Sequence, residues 1–169
     1  KEKKNITPMI IMTPKSLLRH PFAASPVEEF TNNEFSKIIE YEPENKNNVH
    51  NLVLCSGKII VDLLDEQNKP KNQNCTIVSI EELYPFPFKE LESILIKNKN
   101  INQIIWIQEE PKNRGAWQFV SNQLNKSSLL KDLELKYYGS TERASTSVGT
   151  SELHKIQIET ITSNFSQLK

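Results

Sequence analysis

The feature that most constrains the fold of this chain is the alternation of short apolar runs with stretches of helical periodicity. Five runs have the length of a β-strand, at 9–12, 52–55, 76–80, 104–107 and 133–138. Several are apolar at consecutive positions, a pattern typical of strands that are covered on both faces of a parallel sheet. The sequence therefore predicts an α/β fold, a three-layer αβα arrangement around a mostly parallel sheet of about five strands.

Helical periodicity fills the intervals between these runs. In the first helix Ile59, Leu63 and Leu64 fall on one stripe, and the later helices carry similar stripes. A chain of 169 residues with this succession is expected to form a single domain over 1–169, with 1–7 as a flexible linker. The predicted helices cover 58–68, 87–97, 116–125 and 151–162, with two shorter helical pieces at 14–19 and 26–30.

Composition excludes several classes of protein. Lys and Arg total 21 and Asp and Glu total 21, so the chain lacks the basic excess of a protein that tracks nucleic acid. No apolar run approaches the ~18 residues of a membrane helix, and residues 1–5 lack the apolar core of a signal peptide. We therefore expect neither nucleic acid nor a membrane among its partners.

The cysteines and histidines indicate no metal site. Cys55 and Cys75 each fall in an apolar run, so we expect buried free thiols and a reducing compartment. The histidines, His20, His50 and His154, are scattered and lack metal-ligand spacing.

A cationic cluster follows the first predicted strand. Lys15, Arg19 and His20 lie within six residues, with Ser16 among them. Such a cluster at the carboxyl end of a strand can hold a carboxylate or a phosphate. The alternative is a short helix whose charges are solvated or ion-paired.

A second candidate site is the turn formed by Ser56, Gly57 and Lys58, where a strand passes into a helix. Free backbone N–H groups at the start of that helix, beside a lysine, would suit an anion. The spacing is not that of a P-loop, and a simple turn is the alternative.

The third candidate is a polar and aromatic segment that we interpret as an interface. Glu109 and Glu110 resemble an acid–base pair, but neighbouring strand residues point to opposite faces and would not converge on one substrate atom. Either carboxylate is instead a candidate partner for Arg114 or Arg143, and Asn113 is a candidate cap for the following helix. The candidate interface residues are Gln108, Glu109, Glu110, Asn113, Arg114 and Trp117.

The aromatic and proline residues of 83–88 form a rigid connection, and the sequence leaves open whether they belong to the core or to a docking surface. The sequence contains no convincing Ser/His/Asp constellation, no GxGxxG motif and no thiamine-type GDG motif. The residues by themselves thus indicate an α/β domain without an evident active site.

Four motifs, taken in order, resemble the C-terminal domain of the 2-oxoglutarate dehydrogenase E1 component, a member of the transketolase-like superfamily. They are Pro-Lys-Ser-Leu-Leu-Arg-His-Pro at 14–21, Ser-Gly-Lys at 56–58, Ile-Glu-Glu-Leu-Tyr-Pro-Phe-Pro at 80–87 and Gln-Glu-Glu-Pro at 108–111. Their order and spacing are similar to those of the family, and the resemblance runs from about Pro8 to the end of the chain.

The resemblance implies that the chain is part of a longer enzyme. Members of the family decarboxylate 2-oxoglutarate with thiamine diphosphate and Mg²⁺ and pass the succinyl group to the lipoyl arm of an E2 component, in a complex with E3. The cofactor-binding domains of the family precede this segment. The resemblance therefore implies that this chain contains no catalytic, cofactor-binding or metal-binding residue and that the fragment alone is inactive.

The same resemblance implies a supporting role. The domain would pack against the upstream domains of its own chain and help to build the homodimer, with Lys15, Arg19 and His20 as contacts. The location implied is the bacterial cytoplasm, or the mitochondrial matrix if the source is eukaryotic.

The chain also departs from the family. Residues 113–115 read Asn-Arg-Gly where the family has Asn-Gln-Gly, and 88–90 read Phe-Lys-Glu where some members carry the basic residues that bind an acyl-CoA effector. We therefore expect that effector site to be absent. An alternative function, a regulatory module that binds an anion or nucleotide through Ser56, Gly57 and Lys58, stays open.

Overall fold

The computed structural model describes residues 8, 10–32, 34–44, 49–67 and 74–168. The chain divides into two compact units, an N-terminal unit at 1–33 and a C-terminal unit at 34–169. The linker predicted at 1–7 lies outside the described residues.

The N-terminal unit consists of short helical turns joined by extended chain. Single 3-10 turns span Lys15–Leu17 and Pro21–Ala23, and α1 spans Val27–Asn32. None of the residues in these elements is buried. The predicted helical pieces are therefore present, with bounds shifted by a few residues.

The strand predicted at 9–12 is wrong. Ile10, Ile11 and Met12 form no strand and are 85%, 71% and 89% exposed, while Met9 lies outside the described residues. An apolar run becomes a strand only where a neighbouring strand offers hydrogen-bond partners and a packing surface. The described part of the N-terminal unit contains no strand that could pair with it.

The C-terminal unit is built on a five-stranded sheet in the order β1-β3-β2-β4-β5. β2 is parallel to β3 and β4, and β4 is parallel to β5, whereas β1 runs antiparallel to β3. The predicted α/β fold class with a mostly parallel sheet is confirmed. The strands are β1 Ile38–Tyr41, β2 Asn51–Cys55, β3 Cys75–Ile80, β4 Gln103–Pro111 and β5 Glu134–Ser140.

Strand β1 takes the place that the prediction gave to 9–12. It has four residues, most of them only half-buried, and it occupies one edge of the sheet. An edge strand has one neighbour and needs only a short apolar segment, so its sequence pattern is weak.

Helices cover both faces of the sheet. Alternate strand residues face opposite layers, so that Leu54 and Trp106 pack in one core cluster and Val53 and Ile105 in the other. The first cluster includes residues of α3 and α4, and the second includes residues of α2 and α5. The helices are α2 Ile59–Gln67, α3 Phe88–Lys97, α4 Trp117–Leu124 and α5 Ser151–Ser166.

The last helix, α5, is longer than predicted and only partly covered. Ile161 and Phe165 are buried against the sheet, whereas Leu153 and Ile156 are 52% and 58% exposed. Among the described residues, no helix is both long enough and apolar enough to cross a membrane.

Both cysteines are buried free thiols, as predicted. Burial raises the pKa of Cys55 far above its ordinary value, with the charge of Glu81 adding to the shift, and burial raises the pKa of Cys75 to about 12. Both thiols are therefore protonated and unreactive near neutral pH.

Candidate functional site

The candidate site lies at the carboxyl ends of the parallel strands, where the chain changes direction across the sheet. From β2 the chain passes to β3 on one side, and from β3 it crosses to β4 on the other. In open α/β sheets the crevice at such a switch point is the usual place for a ligand. Ser56 and Gly57 after β2 and Gln108 and Glu110 in β4 border this crevice.

Gln108 is the centre of the site, a glutamine that is only 2% exposed. Its side-chain oxygen accepts hydrogen bonds from the indole N–H of Trp106 at 2.8 Å and from the backbone N–H of Trp117 at 3.0 Å. Its side-chain nitrogen donates to the carbonyl oxygens of Arg114 at 2.8 Å and Pro111 at 3.2 Å, with a third carbonyl also at 3.2 Å. One neutral amide therefore holds the loop between β4 and α4.

Gly115 allows this loop to close over Gln108. Its φ is +65°, and a Cβ at this position would lie 2.9 Å from the Gln108 side-chain nitrogen. Both the backbone conformation and the lack of space require glycine. Gly57, on the opposite side of the crevice, has a φ of +80° but open space where a Cβ would be.

The prediction that Asn113 caps α4 is wrong. The N-cap of the helix is Ala116, which makes no side-chain capping bond, and Gln108 accepts from the Trp117 N–H instead. Asn113 exchanges two hydrogen bonds with the backbone of Arg143, each at 3.2 Å. It therefore ties the β4–α4 loop to the segment after β5.

Glu109 pairs with Lys58, a partner that the sequence did not suggest, instead of with Arg114 or Arg143. The Lys58 ammonium lies 3.1 Å from the carboxylate of Glu109 and 3.1 Å from that of Asp62. Burial acts to lower the pKa of Lys58, but the two carboxylates outweigh it, so the pKa is raised and the ammonium form is stabilised.

Glu110 is exposed and lies beside Glu109 within β4, so the two residues occupy neighbouring positions of one strand, as expected. Adjacent strand positions direct their side chains to opposite faces of the sheet. The geometry thus gives no support to an acid–base pair, and it places Glu110 at the border of the crevice.

Tyr137 supports the same loop from β5. Its hydroxyl donates to the carbonyl oxygens of Ser140, at 3.0 Å, and of Glu110, at 3.2 Å. Its ring lies 5.1 Å from that of Trp117, and the Lys112 ammonium lies 5.6 Å from its centroid. Burial raises the pKa of Tyr137 to about 12, and the charge of Glu110 adds to the shift, so the hydroxyl remains a donor.

Arg143 and Gln157 connect the site to α5. Arg143 donates to the side-chain oxygen of Gln157 at 2.9 Å, and the Gln157 nitrogen donates to the carbonyl of Glu109. Sequence reasoning missed Gln157 and Asp62, because a single polar residue on an amphipathic helix forms no motif.

A cavity of about 500 Å³ occupies the crevice at the switch point. Its floor and walls combine aromatic, small and polar residues from the segments that follow β2, β3 and β4. The lining residues are Ser56, Gly57, Leu83, Tyr84, Trp106, Gln108, Glu110, Gly115, Ala116 and Phe119.

The aromatic connection at 83–88, which the sequence left open between core and docking surface, contributes one ring to the core and leaves another exposed. Phe86 is 8% exposed and packs against the rings of Phe88 and Phe119, whereas Tyr84 is 82% exposed at the cavity.

The cationic residues predicted near the first strand lie in the N-terminal unit. Lys15, Ser16 and Arg19 are exposed, and His20 accepts a hydrogen bond from the Phe22 backbone N–H at 3.3 Å. Ser56 and Lys58 belong to the other unit. The candidate anion contacts therefore belong to different units, and their role as contacts stays a prediction.

The described residues do not fit a metal centre. Within this part of the chain no three His, Cys, Asp or Glu side chains are grouped so that they could hold a metal ion.

The comparisons with known proteins agree with one another. The family described as 2-oxoglutarate dehydrogenase C-terminal matches residues 24–165. A 2-oxoglutarate dehydrogenase E1 component from a Geobacillus species is 42% identical over 163 residues, which are 95% of this chain and 17% of that protein. An oxoglutarate dehydrogenase from Buchnera aphidicola is 42% identical over 151 residues, 89% of this chain and 16% of that protein.

A third relative, a 2-oxoglutarate dehydrogenase E1 component from an Exiguobacterium species, is 43% identical over 157 residues, 90% of this chain and 16% of that protein. The chain thus corresponds to a small part of each relative, and the family match extends over most of both the sheet and its helices. This chain belongs to the 2-oxoglutarate dehydrogenase C-terminal family.

Proposed function

We propose that this chain is the noncatalytic C-terminal domain of a 2-oxoglutarate dehydrogenase E1 component. The observation that carries the proposal is the family match over 24–165, combined with relatives of which the chain covers only 16–17%. Because the chain corresponds to so small a share of each relative, we infer that it is a structural part of a longer enzyme.

The parent enzyme, in this proposal, decarboxylates 2-oxoglutarate and transfers a succinyl group to its E2 partner, in a complex that also contains E3. Thiamine diphosphate with Mg²⁺ would supply the electron sink for the decarboxylation, and in this proposal it would be held by residues outside this sequence. The bacterial sources of the relatives favour a cytoplasmic enzyme of the citric acid cycle.

The role of this domain would be to pack against the rest of its polypeptide and to support the homodimer. The N-terminal unit supports this role, because large apolar side chains stand exposed on a segment whose helical elements bury nothing. Clustered exposed apolar residues usually mark a surface that another part covers. Those residues include Ile10, Ile11, Met12, Leu18, Val27 and Phe30, each at least 70% exposed.

Lys15, Arg19 and His20 lie on the same segment and would fix the geometry of this packing. Charged residues at such a contact favour one arrangement over others while adding little net stability.

The test uses the full-length E1 polypeptide with Arg19→Ala. We expect a weaker dimer or a lower turnover of 2-oxoglutarate, because a cation at the contact is lost. Lys131→Ala serves as the control, since Lys131 is an exposed lysine of the C-terminal unit. Unchanged dimer dissociation together with unchanged turnover in the Arg19 variant would refute the role of this cluster.

The inactivity of the chain alone has a separate test. The purified 169-residue chain is given 2-oxoglutarate, thiamine diphosphate and Mg²⁺, and CO₂ release is measured. We expect none above the rate without protein. Release that depends on the chain would show that it carries catalytic residues of its own.

The alternative function, a regulatory module for an anion or nucleotide, has weaker support. Lys58 would supply the charge for such a ligand, but its ammonium already lies between the carboxylates of Asp62 and Glu109. Calorimetry with nucleotides and CoA esters tests it, and heat that disappears in Lys58→Gln would favour it.

A further inference from the structure

The cavity at the switch point has the dimensions and position of a ligand site but not the charge that the anion hypothesis requires. Its volume of about 500 Å³ falls within the usual range for small-molecule pockets. Among the ten described residues that line it, Glu110 is the one acidic residue, and none is a lysine, arginine or histidine. A carboxylate at the border disfavours an anion and attracts a cation.

The cationic residues close in sequence to the lining residues have contacts elsewhere; among them Arg114, next to Gly115, donates to the Ala144 carbonyl oxygen at 3.4 Å. Lys58 follows Gly57 but forms ion pairs with Asp62 and Glu109. Lys112 lies over the Tyr137 ring, and neither lysine lines the cavity. An organic cation in the cavity would therefore meet a carboxylate without a competing lysine on the walls.

The apolar lining is largely aromatic. Tyr84, Trp106 and Phe119 contribute to the walls, together with Leu83 and Ala116. Aromatic faces attract ammonium and guanidinium groups through the ring quadrupole, and the attraction grows where water is displaced. Aromatic rings combined with one carboxylate are the chemistry expected for a substituted ammonium or guanidinium ligand.

The β4–α4 side of the cavity is held in place by hydrogen bonds. Gln108 fixes the β4–α4 loop through both ends of its amide, and Gly115 packs directly on it. A preformed pocket loses little conformational entropy on binding, which favours affinity for small ligands.

We propose that this cavity binds an organic cation, an ammonium or guanidinium group carried on a small apolar body, with Glu110 as its counter-ion and aromatic walls around it. The proposal does not depend on the docking role of the domain. The cation is either a free small molecule or a lysine or arginine side chain from the rest of the parent polypeptide, since both present the same chemistry.

The test compares three probes of equal shape and different charge: benzamidinium, benzamide and benzoate. Each is titrated into the 169-residue chain while the indole N–H resonance of Trp106 is followed by NMR. We expect benzamidinium to bind with a dissociation constant of about 1 mM, roughly tenfold tighter than benzamide, and benzoate to bind more weakly than either.

Two variants connect the binding to the cavity. Glu110→Gln should lower the affinity for benzamidinium to that for benzamide. Glu142 is an exposed carboxylate on the segment after β5, and Glu142→Gln, as the control, should leave both affinities unchanged. Tyr84→Ala should lower the affinity for both benzamidinium and benzamide. Because Tyr84 is 82% exposed, the substitution should leave the fold intact.

The same titration on the full-length E1 polypeptide distinguishes the two sources of the cation. Binding to both proteins supports a free ligand, whereas binding to the 169-residue chain alone supports a side chain of the parent that already fills the cavity. Binding of benzoate as tight as that of benzamidinium, an unchanged benzamidinium affinity in Glu110→Gln, or no binding to either protein up to about 10 mM would overturn the proposal.

Discussion

At the scale of single residues, Gln108 shows why a neutral amide occupies the centre of the site. Its amide offers an acceptor to two N–H groups and donors to carbonyl oxygens of the loop. A glutamate could accept but not donate, and a leucine could do neither. The residue therefore satisfies buried backbone groups without introducing a buried charge.

Replacement of Gln108 tests this account. In Gln108→Leu the Trp106 and Trp117 N–H groups lose their acceptor, and carbonyls of the loop lose their donor. We expect the free energy of unfolding to fall by about 2–4 kcal/mol, measured by urea denaturation. Gln118→Leu on the exposed face of α4 is the matched control and should change it by less than about 0.5 kcal/mol. Equal, small effects in both variants would contradict the role of Gln108.

The sequence could identify Gln108 as a candidate but not its role. It lies in a motif at the end of a strand, which marked it as an interface residue. Its burial depends on the loop that folds back over it, and that contact leaves no pattern in the neighbouring residues.

At the scale of elements, the connections on the two sides of the crevice each contain a glycine, and the two glycines differ in the space around them. Gly115 combines a positive φ with a close neighbour, whereas Gly57 has a positive φ in open space. Substitution by alanine should separate the two contributions, because only Gly115→Ala forces the Gln108 side chain to move.

We expect Gly57→Ala to lower the free energy of unfolding by roughly 1–2 kcal/mol, the cost of a left-handed conformation for an L-residue. Gly115→Ala should lower the free energy of unfolding by roughly 1–3 kcal/mol more than Gly57→Ala does, because steric overlap with Gln108 adds to the conformational cost. Thermal denaturation of both variants beside the parent chain gives the comparison. A Gly115 variant no less stable than the Gly57 variant would argue against a tightly packed loop.

The elements predicted correctly are those with a local signal. The central strands have long apolar runs and the helices have clear stripes, so their positions followed from the sequence. The run at 9–12 has the same apolar pattern, but the described part of its unit contains no strand that could pair with it. Strand β1 pairs with β3, but its residues show little apolar pattern. Pairing is a tertiary property, so both assignments failed for the same reason.

At the scale of the whole molecule, the buried thiols make stability depend on pH. The folded state holds Cys55 and Cys75 protonated above the ordinary thiol pKa of 9.0, whereas the unfolded state releases both protons near that value. Rising pH therefore favours the unfolded state, and the stabilisation is complete only below the unfolded pKa.

Between about pH 8 and pH 10 we expect the free energy of unfolding to fall by about 1 kcal/mol for each thiol. Urea denaturation at the two pH values measures the change, and in Cys75→Ala it should be about half as large. Tyr137 adds less than either thiol over this range, because its unfolded pKa of 10.0 lies at the upper limit of the window. Stability that stays constant or increases over this range would contradict the burial of the thiols.

The central claim is that the exposed apolar segment of the N-terminal unit is covered by the rest of a longer E1 polypeptide. Hydrogen–deuterium exchange, read by mass spectrometry on peptides from residues 10–32, tests it most directly when the 169-residue chain is compared with full-length E1. We expect exchange at least roughly tenfold slower in the full-length protein for these peptides, with little change for β2 and β4. Equal exchange rates at 10–32 in both proteins would contradict it.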